Sequence, residues 1–231
     1  MDKAVWEYNI FNDGEKILVA VSGGADSIAL LDLLQLRIPV YADKLELFAV
    51  YVDMGFGHGQ ETRCQMMQRF FKNIRVQGKI LRTTAGPYAH SAENRENPCF
   101  LCTRIRRRNI FEAAEELGCT KIAFGHHKDD VTETLMLNMI FNREISTMIP
   151  NLAVFQGKYR IVRPLLYVEE TLLKKYCRER RLLSFDQECP TDGHSKRQYI
   201  KDMLDNLEKD FKGARENIFH SMKRVKVDYL L

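Results

Sequence analysis

Four short stretches of this sequence carry residue types that could do chemistry, and three of them suit a nucleotide. The first is Ser-Gly-Gly-Ala-Asp-Ser at residues 22–27, between an apolar β-rich segment and a helical pattern. Glycines let backbone N–H groups approach an anion closely, and the start of the helix adds partial positive charge. A plain strand–helix turn also uses glycines, but the added hydroxyls and carboxylate favour a phosphate loop. Its expected contacts are Ser22, Gly23, Gly24, Asp26 and Ser27.

Two more loops follow predicted strands and carry carboxylates and histidines. Asp53 ends the second strand, and Gly-His-His-Lys-Asp-Asp fills residues 125–130. Parallel strands present their loops at one edge of the sheet, so we expect both beside the phosphate loop. Gly125 and His126 are the expected nucleotide contacts, and Asp53 and Asp130 the expected metal-binding or catalytic carboxylates, although a helix cap would also suit Asp130. Carboxylates next to phosphates repel them unless a cation intervenes, which predicts Mg²⁺.

The fourth stretch is a Cys-x-x-Cys pair, Cys99 and Cys102, at the start of a helical pattern. Cys189 lies in an irregular segment and is the predicted third ligand. The remaining thiols are expected to be buried; they are Cys64, Cys119 and Cys177. Three thiolates fit an iron–sulfur cluster that leaves one iron without a protein ligand. Two alternatives stay open: redox-active cysteines, and a zinc ion completed by His194.

The elements that must position these residues alternate along the chain. Strand and helix patterns follow one another from residue 16 to residue 181, which predicts an α/β fold: a five-stranded parallel sheet with helices on both faces and a C-terminal helical extension. We assign residues 1–185 to the nucleotide-binding domain and residues 186–231 to a helical segment that contributes the third cysteine. Residues 83–98 read as a polar loop.

Composition narrows the class of protein further. The 231 residues are 45% hydrophobic and 29% charged, which is ordinary for a globular enzyme. No apolar run approaches the roughly 18 residues of a membrane span, and the first residues lack the apolar core of a signal peptide. We therefore expect a cytoplasmic protein with no membrane partner. A net charge of +4 is mildly basic, but arginines cluster at residues 104–108 and 178–181.

Together these motifs resemble the PP-loop ATP pyrophosphatases and, within them, the tRNA 2-thiocytidine synthetase and related tRNA 2-thiolation branch. The resemblance runs from the phosphate loop through Cys-Phe-Leu-Cys-Thr-Arg-Ile-Arg-Arg and the loop at residues 125–130. It continues through Ile-Val-Arg-Pro-Leu at residues 161–165 to Cys189 and residues 197–204. It implies a [4Fe–4S] cluster on the three cysteines and ATP in the phosphate loop. A lysine common in that loop is replaced by Ala25, and Lys128 and Arg106 are the candidate replacement cations.

The resemblance also implies a reaction and its partners. ATP would adenylate a carbonyl of a tRNA base with release of pyrophosphate, and sulfur transfer would follow. Asp53 and Asp130 are the metal-binding or catalytic carboxylates of this scheme, and Arg106 contacts phosphate. The expected partners are tRNA and a sulfur donor, either a cysteine desulfurase or inorganic sulfide, and the scheme leaves room for a homodimer. The alternatives are a sulfur- or amine-transferring enzyme that acts on a small molecule, and a zinc-bound RNA-binding module that is not an enzyme.

Contact with RNA would use positive charge and aromatic rings. The candidate backbone contacts are Arg104, Arg107, Arg178, Lys196 and Arg197. The candidate stacking side chains are Tyr88, Phe185 and Tyr199.

Overall fold

One sheet organises the molecule, for which a computed structural model describes residues 1–185, 189–191, 193 and 195–229. Its strands are β1 (Lys16–Val21), β2 (Glu46–Asp53), β3 (Gln77–Arg82), β4 (Lys121–Phe124), β5 (Asn151–Val154) and β6 (Tyr159–Val162). The strand order is β3-β2-β1-β4-β6-β5, and every neighbouring pair is parallel except β5 and β6. The strands before β4 are added to one side of β1, and the later strands lie on its other side. The strand order therefore switches between β1 and β4, and parallel sheets form ligand crevices at such switch points.

Helices cover both faces of this sheet. They are α1 (Asp2–Glu7), α2 (Ala25–Tyr41), α3 (Gln60–Asn73), α4 (Ala85–Ala89), α5 (Pro98–Leu117), α6 (Lys128–Leu137), α7 (Glu170–Glu179), α8 (Lys196–Asp210) and α9 (Ala214–Ser221). Alternate residues of β1 point to opposite faces. Ile17 and Val19 join the core that α2, α3 and α7 complete, whereas Leu18 joins the core under α5. A strand covered on both sides must be apolar, and β1 is apolar from Ile17 to Val21 after its first residue, Lys16.

Helix α5 carries its own start and stop signals. The Asn97 side chain accepts a hydrogen bond from the Phe100 N–H at 3.2 Å, and Pro98 occupies the first helical position. Gly118 ends the helix with a left-handed φ of +68°. The cysteine pair therefore lies in the first turn of a 20-residue helix whose start is fixed by local sequence.

The α/β class is confirmed, and the five predicted parallel strands are present. The expectation of five strands is wrong in number, because β5 adds a sixth, antiparallel strand at the edge of the sheet. Its four residues are too short to show a periodic pattern. The segment predicted as a loop at residues 83–98 contains the short helix α4. The domain boundary at residue 185 stays a prediction; Phe219 of α9 lies in the main core.

Candidate active site

Two serine hydroxyls hold the phosphate loop in shape. Ser27 Oγ accepts a hydrogen bond from the backbone N–H of Ser22 at 3.0 Å and donates one to the Gly24 carbonyl at 2.9 Å, and Ser22 Oγ accepts one from the Gly24 N–H at 3.3 Å. Gly23 has a φ of +96°, and a Cβ atom there would lie 2.5 Å from the ring of Phe185. Only glycine fits this position. The loop leads directly into the N-terminus of α2, whose backbone dipole favours an anion.

The loop at residues 125–130 lies against the phosphate loop. A Cβ atom on Gly125 would lie 3.0 Å from the backbone nitrogen of Ser27. His126 accepts a hydrogen bond at Nδ1 from Arg163 Nε, at 3.3 Å. Burial, and then the charge of Arg163, lower the pKa of His126 to about 4. His126 is therefore a neutral imidazole that Arg163 orients.

His127 joins three carboxylates of the two loops. Its Nε2 lies 3.6 Å from Asp26 Oδ2 and 3.4 Å from Asp130 Oδ2, and its Nδ1 lies 3.6 Å from Asp129 Oδ2. Burial alone would lower the pKa of His127, but the carboxylates outweigh burial and raise the pKa to about 10. The resulting imidazolium ties the start of α2 to the start of α6. Asp130 Oδ2 also accepts a hydrogen bond from the backbone N–H of His127 at 2.9 Å, and Asp130 Oδ1 accepts one from Arg197 Nη2 at 2.8 Å.

Asp53 is fully buried, and hydrogen bonds occupy both of its oxygens. Oδ1 accepts the Gly55 N–H at 2.8 Å, and Oδ2 accepts the Tyr51 hydroxyl at 2.8 Å and Arg63 Nε at 2.9 Å. Burial would raise the pKa of Asp53, but Arg63 and the other donors lower it. The catalytic role of Asp53 stays a prediction, and this geometry favours a role in positioning the loop after β2.

The structure brings the three candidate ligand thiols to one place. Cys99 Sγ and Cys189 Sγ contact the same Thr191 hydroxyl, at 3.4 and 3.3 Å. Cys102 interacts electrostatically with both thiols, and its Sγ lies 4.0 Å from the carbonyl oxygen of Ala85. The thiols expected to be buried are buried; they are Cys64, Cys119 and Cys177. The first turn of α5 and the segment before α8 therefore form one thiol cluster.

Thiolates are ligands of both zinc and iron–sulfur clusters, so the residue types of this thiol cluster are compatible with either. In the part of the chain that the structure describes, no three Cys, His, Asp or Glu side chains are placed to hold a single metal ion. Zinc would need four ligands at about 2.0–2.3 Å from one point. An iron–sulfur cluster instead takes thiolate ligands from separate irons. His194, the candidate fourth zinc ligand, lies outside the described residues.

The two candidate cations for the missing loop lysine have different surroundings. Lys128 pairs with Glu216 of α9, and its Nζ lies 3.4 Å from Oε1 of Glu169, the residue before α7, so its charge is already paired. Arg106 Nε is buried and has no hydrogen-bond partner among the described residues. Burial lowers the pKa of Arg106 from its ordinary value. Of the two, Arg106 is the cation whose hydrogen-bonding capacity is left unused.

The buried Arg106 has thiols of the cluster among its electrostatic neighbours. Its guanidinium interacts electrostatically with Cys102, Cys189 and Tyr51. The Tyr51 ring packs edge-on against Phe185, with centroids 5.9 Å apart. Phe185 is in turn the side chain that covers Gly23. Phe185 thus packs between Tyr51 and the phosphate loop, and Arg106 interacts electrostatically with Tyr51 and with two of the thiols.

The side chains predicted to contact RNA are spread over several surfaces. Arg104 and Arg107 are exposed on α5, whereas Arg178 lies on α7 across the sheet. Lys196 Nζ lies 4.8 Å from the Phe141 ring centroid, and Arg197 is engaged by α6. Tyr199 and Tyr88 are exposed by 61% and 48%, but Phe185 packs on the phosphate loop. The structure does not bring these residues together.

Sequence reasoning missed two contributors to the site. The first is Arg163, which orients His126. The sequence feature that could have identified it is its position as a charged residue directly after the buried strand β6. The second is Thr191, which contacts two thiols, and only its nearness to Cys189 in the chain could have singled it out.

None of the described helices combines the length and apolarity needed to cross a bilayer.

Comparison with known proteins matches residues 3–207 to the PP-loop domain. A tRNA-cytidine(32) 2-sulfurtransferase of Polynucleobacter necessarius is 35% identical over 235 residues, covering 99% of this chain and 76% of the relative. The enzyme of the same name from Neisseria meningitidis is 35% identical over 233 residues, covering 98% of this chain and 71% of the relative.

Among solved structures, the U34-tRNA thiolase NcsA from Methanococcus maripaludis with its [4Fe–4S] cluster superposes with a TM-score of 0.79. That match covers 100% of this chain and 79% of the thiolase at 22% identity, and it establishes a shared fold.

Proposed function

Because the chain belongs to the PP-loop family, in the branch of the tRNA-cytidine 2-sulfurtransferases, we propose that it replaces the O2 oxygen of a tRNA cytidine with sulfur at the expense of ATP. The observation that carries the proposal is the electrostatic neighbourhood of Arg106, which includes Cys102, Cys189 and Tyr51, together with the packing of Tyr51 on Phe185 and of Phe185 on Gly23. It supports a sulfur-handling group and a phosphate-binding loop at one edge of the sheet. The relatives' names support position 32, in the anticodon loop, as the target.

ATP binds with its phosphates over residues 22–27 and the N-terminus of α2 in this proposal. A magnesium ion fits there, because Asp26 Oδ1 is buried and has no hydrogen-bond partner in the described chain. An orphaned carboxylate oxygen is costly unless a donor or a cation completes it. Asp26 is therefore our choice of magnesium ligand. Both Asp130 oxygens already accept hydrogen bonds, which suits a charge that positions His127 and Arg197.

The first step is adenylation. The cytidine O2 forms a bond to the α-phosphorus, the bond between that phosphorus and the bridging oxygen breaks, and pyrophosphate leaves. Arg106 supplies positive charge to the α-phosphate in place of the loop lysine, and its buried, unpaired Nε makes that interaction strong. Carbon 2 of the base becomes electrophilic because AMP is a good leaving group.

The second step is substitution at carbon 2. A sulfide sulfur forms the C–S bond, the C–O bond breaks, and the original base oxygen departs as part of AMP. The residues that fit a [4Fe–4S] cluster are Cys99, Cys102 and Cys189. When bound, the cluster supplies an iron that lacks a protein ligand, and with it the sulfur chemistry of the reaction. The sulfur donor, a homodimer and a cytoplasmic location stay predictions.

Anaerobic single-turnover assays test this function. Protein reconstituted with iron and sulfide is mixed with unmodified tRNA, ATP, Mg²⁺ and sulfide, and thionucleosides are quantified by mass spectrometry. We expect one AMP and one pyrophosphate for each 2-thiocytidine. Thiolation that proceeds without ATP, or that yields ADP and phosphate, contradicts the proposal.

A further inference from the structure

An open groove runs along the outer face of α5, beside the hairpin formed by β5 and β6. Its volume is about 700 Å³. Helix α5 contributes residues spaced three and four apart, which share one face of a helix; they are Phe100, Arg104, Arg107, Phe111 and Glu115. Cys102 and Arg106 lie off this face and serve the site described above. One helix thus presents the thiol cluster on one side and this groove on another.

Aromatic rings form the floor of the groove. The Phe111 ring lies edge-on to Phe155 and Tyr159, with centroids 4.9 and 5.3 Å away. Phe155 is 63% exposed and has a left-handed φ of +50°, followed by Gln156 at +57°. Non-glycine residues are disfavoured in this conformation, and they persist where the surroundings enforce them. The hairpin turn therefore holds an exposed phenyl ring in the groove at a conformational cost that core packing does not explain.

The rim of the groove carries four cations and two carboxylates. Lys158 pairs with Glu115 at 2.7 Å, and Arg108 with Glu112 at 3.5 Å. Arg107 is exposed and forms no ion pair with any described residue. It lies near enough to Arg163 for the two guanidinium groups to repel each other. A ligand that brings negative charge to this rim would relieve that repulsion.

We propose that this groove binds the anticodon stem-loop of the tRNA substrate, with an unstacked base against Phe155 and phosphates against Arg107 and Lys158. The inference rests on the proposed function. Aromatic stacking combined with positive charge is how proteins hold single-stranded RNA, and Arg107 is the rim cation that no described carboxylate pairs, since Arg104 pairs with Glu96. The groove starts at Phe100, next to the cysteines, and extends down α5. A stem-loop lying along it reaches the thiol cluster with its loop.

Binding of a fluorescein-labelled anticodon stem-loop, followed by anisotropy, tests the groove. Phe155→Ala should weaken binding by about 5- to 100-fold through lost stacking, and Phe155→Trp should retain it. Phe211→Ala is the matched control, because Phe211 is 67% exposed and does not line the groove.

Salt dependence separates the rim from the floor. Arg107→Ala should lower the slope of log affinity against log salt by about one, whereas Phe155→Ala should leave it unchanged. Arg69→Ala, an exposed arginine on α3 across the sheet, should leave both affinity and slope unchanged. Circular dichroism and ATP binding of each variant verify that it is folded.

The outcomes separate this inference from the proposed function. Wild-type protein that thiolates tRNA, together with groove variants that bind the stem-loop as tightly as wild type, overturns the groove and leaves the enzyme intact. Equal weakening by Arg69→Ala or Phe211→Ala also overturns the groove. Groove variants that keep full RNA affinity but change the oligomeric state identify a protein interface instead. Wild-type protein that neither thiolates tRNA nor releases pyrophosphate contradicts the proposed function itself.

Discussion

The two ends of the active site are built in different ways. At the nucleotide end, His127 bridges three carboxylates, Arg163 orients His126, and Ser27 closes the phosphate loop with bonds of 2.9–3.0 Å. At the thiol end, the hydrogen-bond contacts that the three cysteines make with other described residues are 3.3–4.0 Å long and involve Thr191, Ala85 and His90. Contacts within the protein hold the nucleotide end, whereas the proposed function adds an iron–sulfur centre at the thiol end. Variants should therefore separate folding from assembly of that centre.

The largest effect is expected at the thiol end. Cys189→Ala should abolish iron and acid-labile sulfide binding and reduce thiolation to background, because two thiols cannot hold the cluster. ATP affinity and the free energy of unfolding of the metal-free protein should change by less than about 1 kcal/mol, since the thiol makes only weak contacts. Iron and sulfide analysis together with urea unfolding provide the measurements.

Cys177→Ala is the matched control for that variant. Cys177 is buried at the contact of α7 with α2, where burial raises its pKa to about 11. We expect full iron content and thiolation, with a loss of about 1–2 kcal/mol of stability. Iron loss in Cys177→Ala would show that the contrast between the two ends is mistaken.

A large catalytic effect is expected at the nucleotide end. Asp130→Asn keeps an oxygen for the His127 N–H but removes the charge that holds Arg197 and His127. We expect the rate of tRNA-dependent pyrophosphate release to fall about 100-fold or more, with iron content unchanged. An equal fall in iron content would mean that the two ends are not independent.

The stability of the nucleotide end should depend on pH through His127. Its folded pKa of about 10 lies above its ordinary value of 6.5, because the carboxylates outweigh burial. The stabilisation is thus fully present below pH 6.5 and is lost as the pH rises through about 10. Urea unfolding at the two ends of this range should differ by roughly 2–4 kcal/mol more in wild type than in His127→Asn. Identical pH dependences of unfolding in wild type and His127→Asn would show that a charged His127 does not stabilise the nucleotide end.

The smallest effect is expected for Ala25→Lys, which restores the missing loop lysine. If Arg106 replaces it, Arg106→Ala should weaken transition-state binding of the α-phosphate and slow pyrophosphate release. Ala25→Lys should alter the wild-type rate by only about threefold but restore a large part of the rate lost in Arg106→Ala. Pyrophosphate release by the single and double variants measures this. If the double variant is no faster than Arg106→Ala, Arg106 does not replace the loop lysine.

Sequence reasoning succeeded where a local pattern determines structure. The glycines of the phosphate loop, the cysteine helix from Asn97 to Gly118 and the apolar strands all follow from neighbouring residues. It failed where distant segments meet. The network around His127 needs the approach of α2 to α6, and the groove needs an edge strand of four residues that no periodicity predicts. The engagement of Lys128 by α9 likewise depends on tertiary packing.

The most direct test follows one oxygen atom through the reaction. A tRNA whose target cytidine carries a heavy-oxygen label at O2 is thiolated anaerobically in a single turnover, and the products are analysed by mass spectrometry. The account predicts the label in the phosphate of AMP, because the base oxygen attacks the α-phosphorus before sulfur displaces it. A label found in water or in pyrophosphate would contradict it.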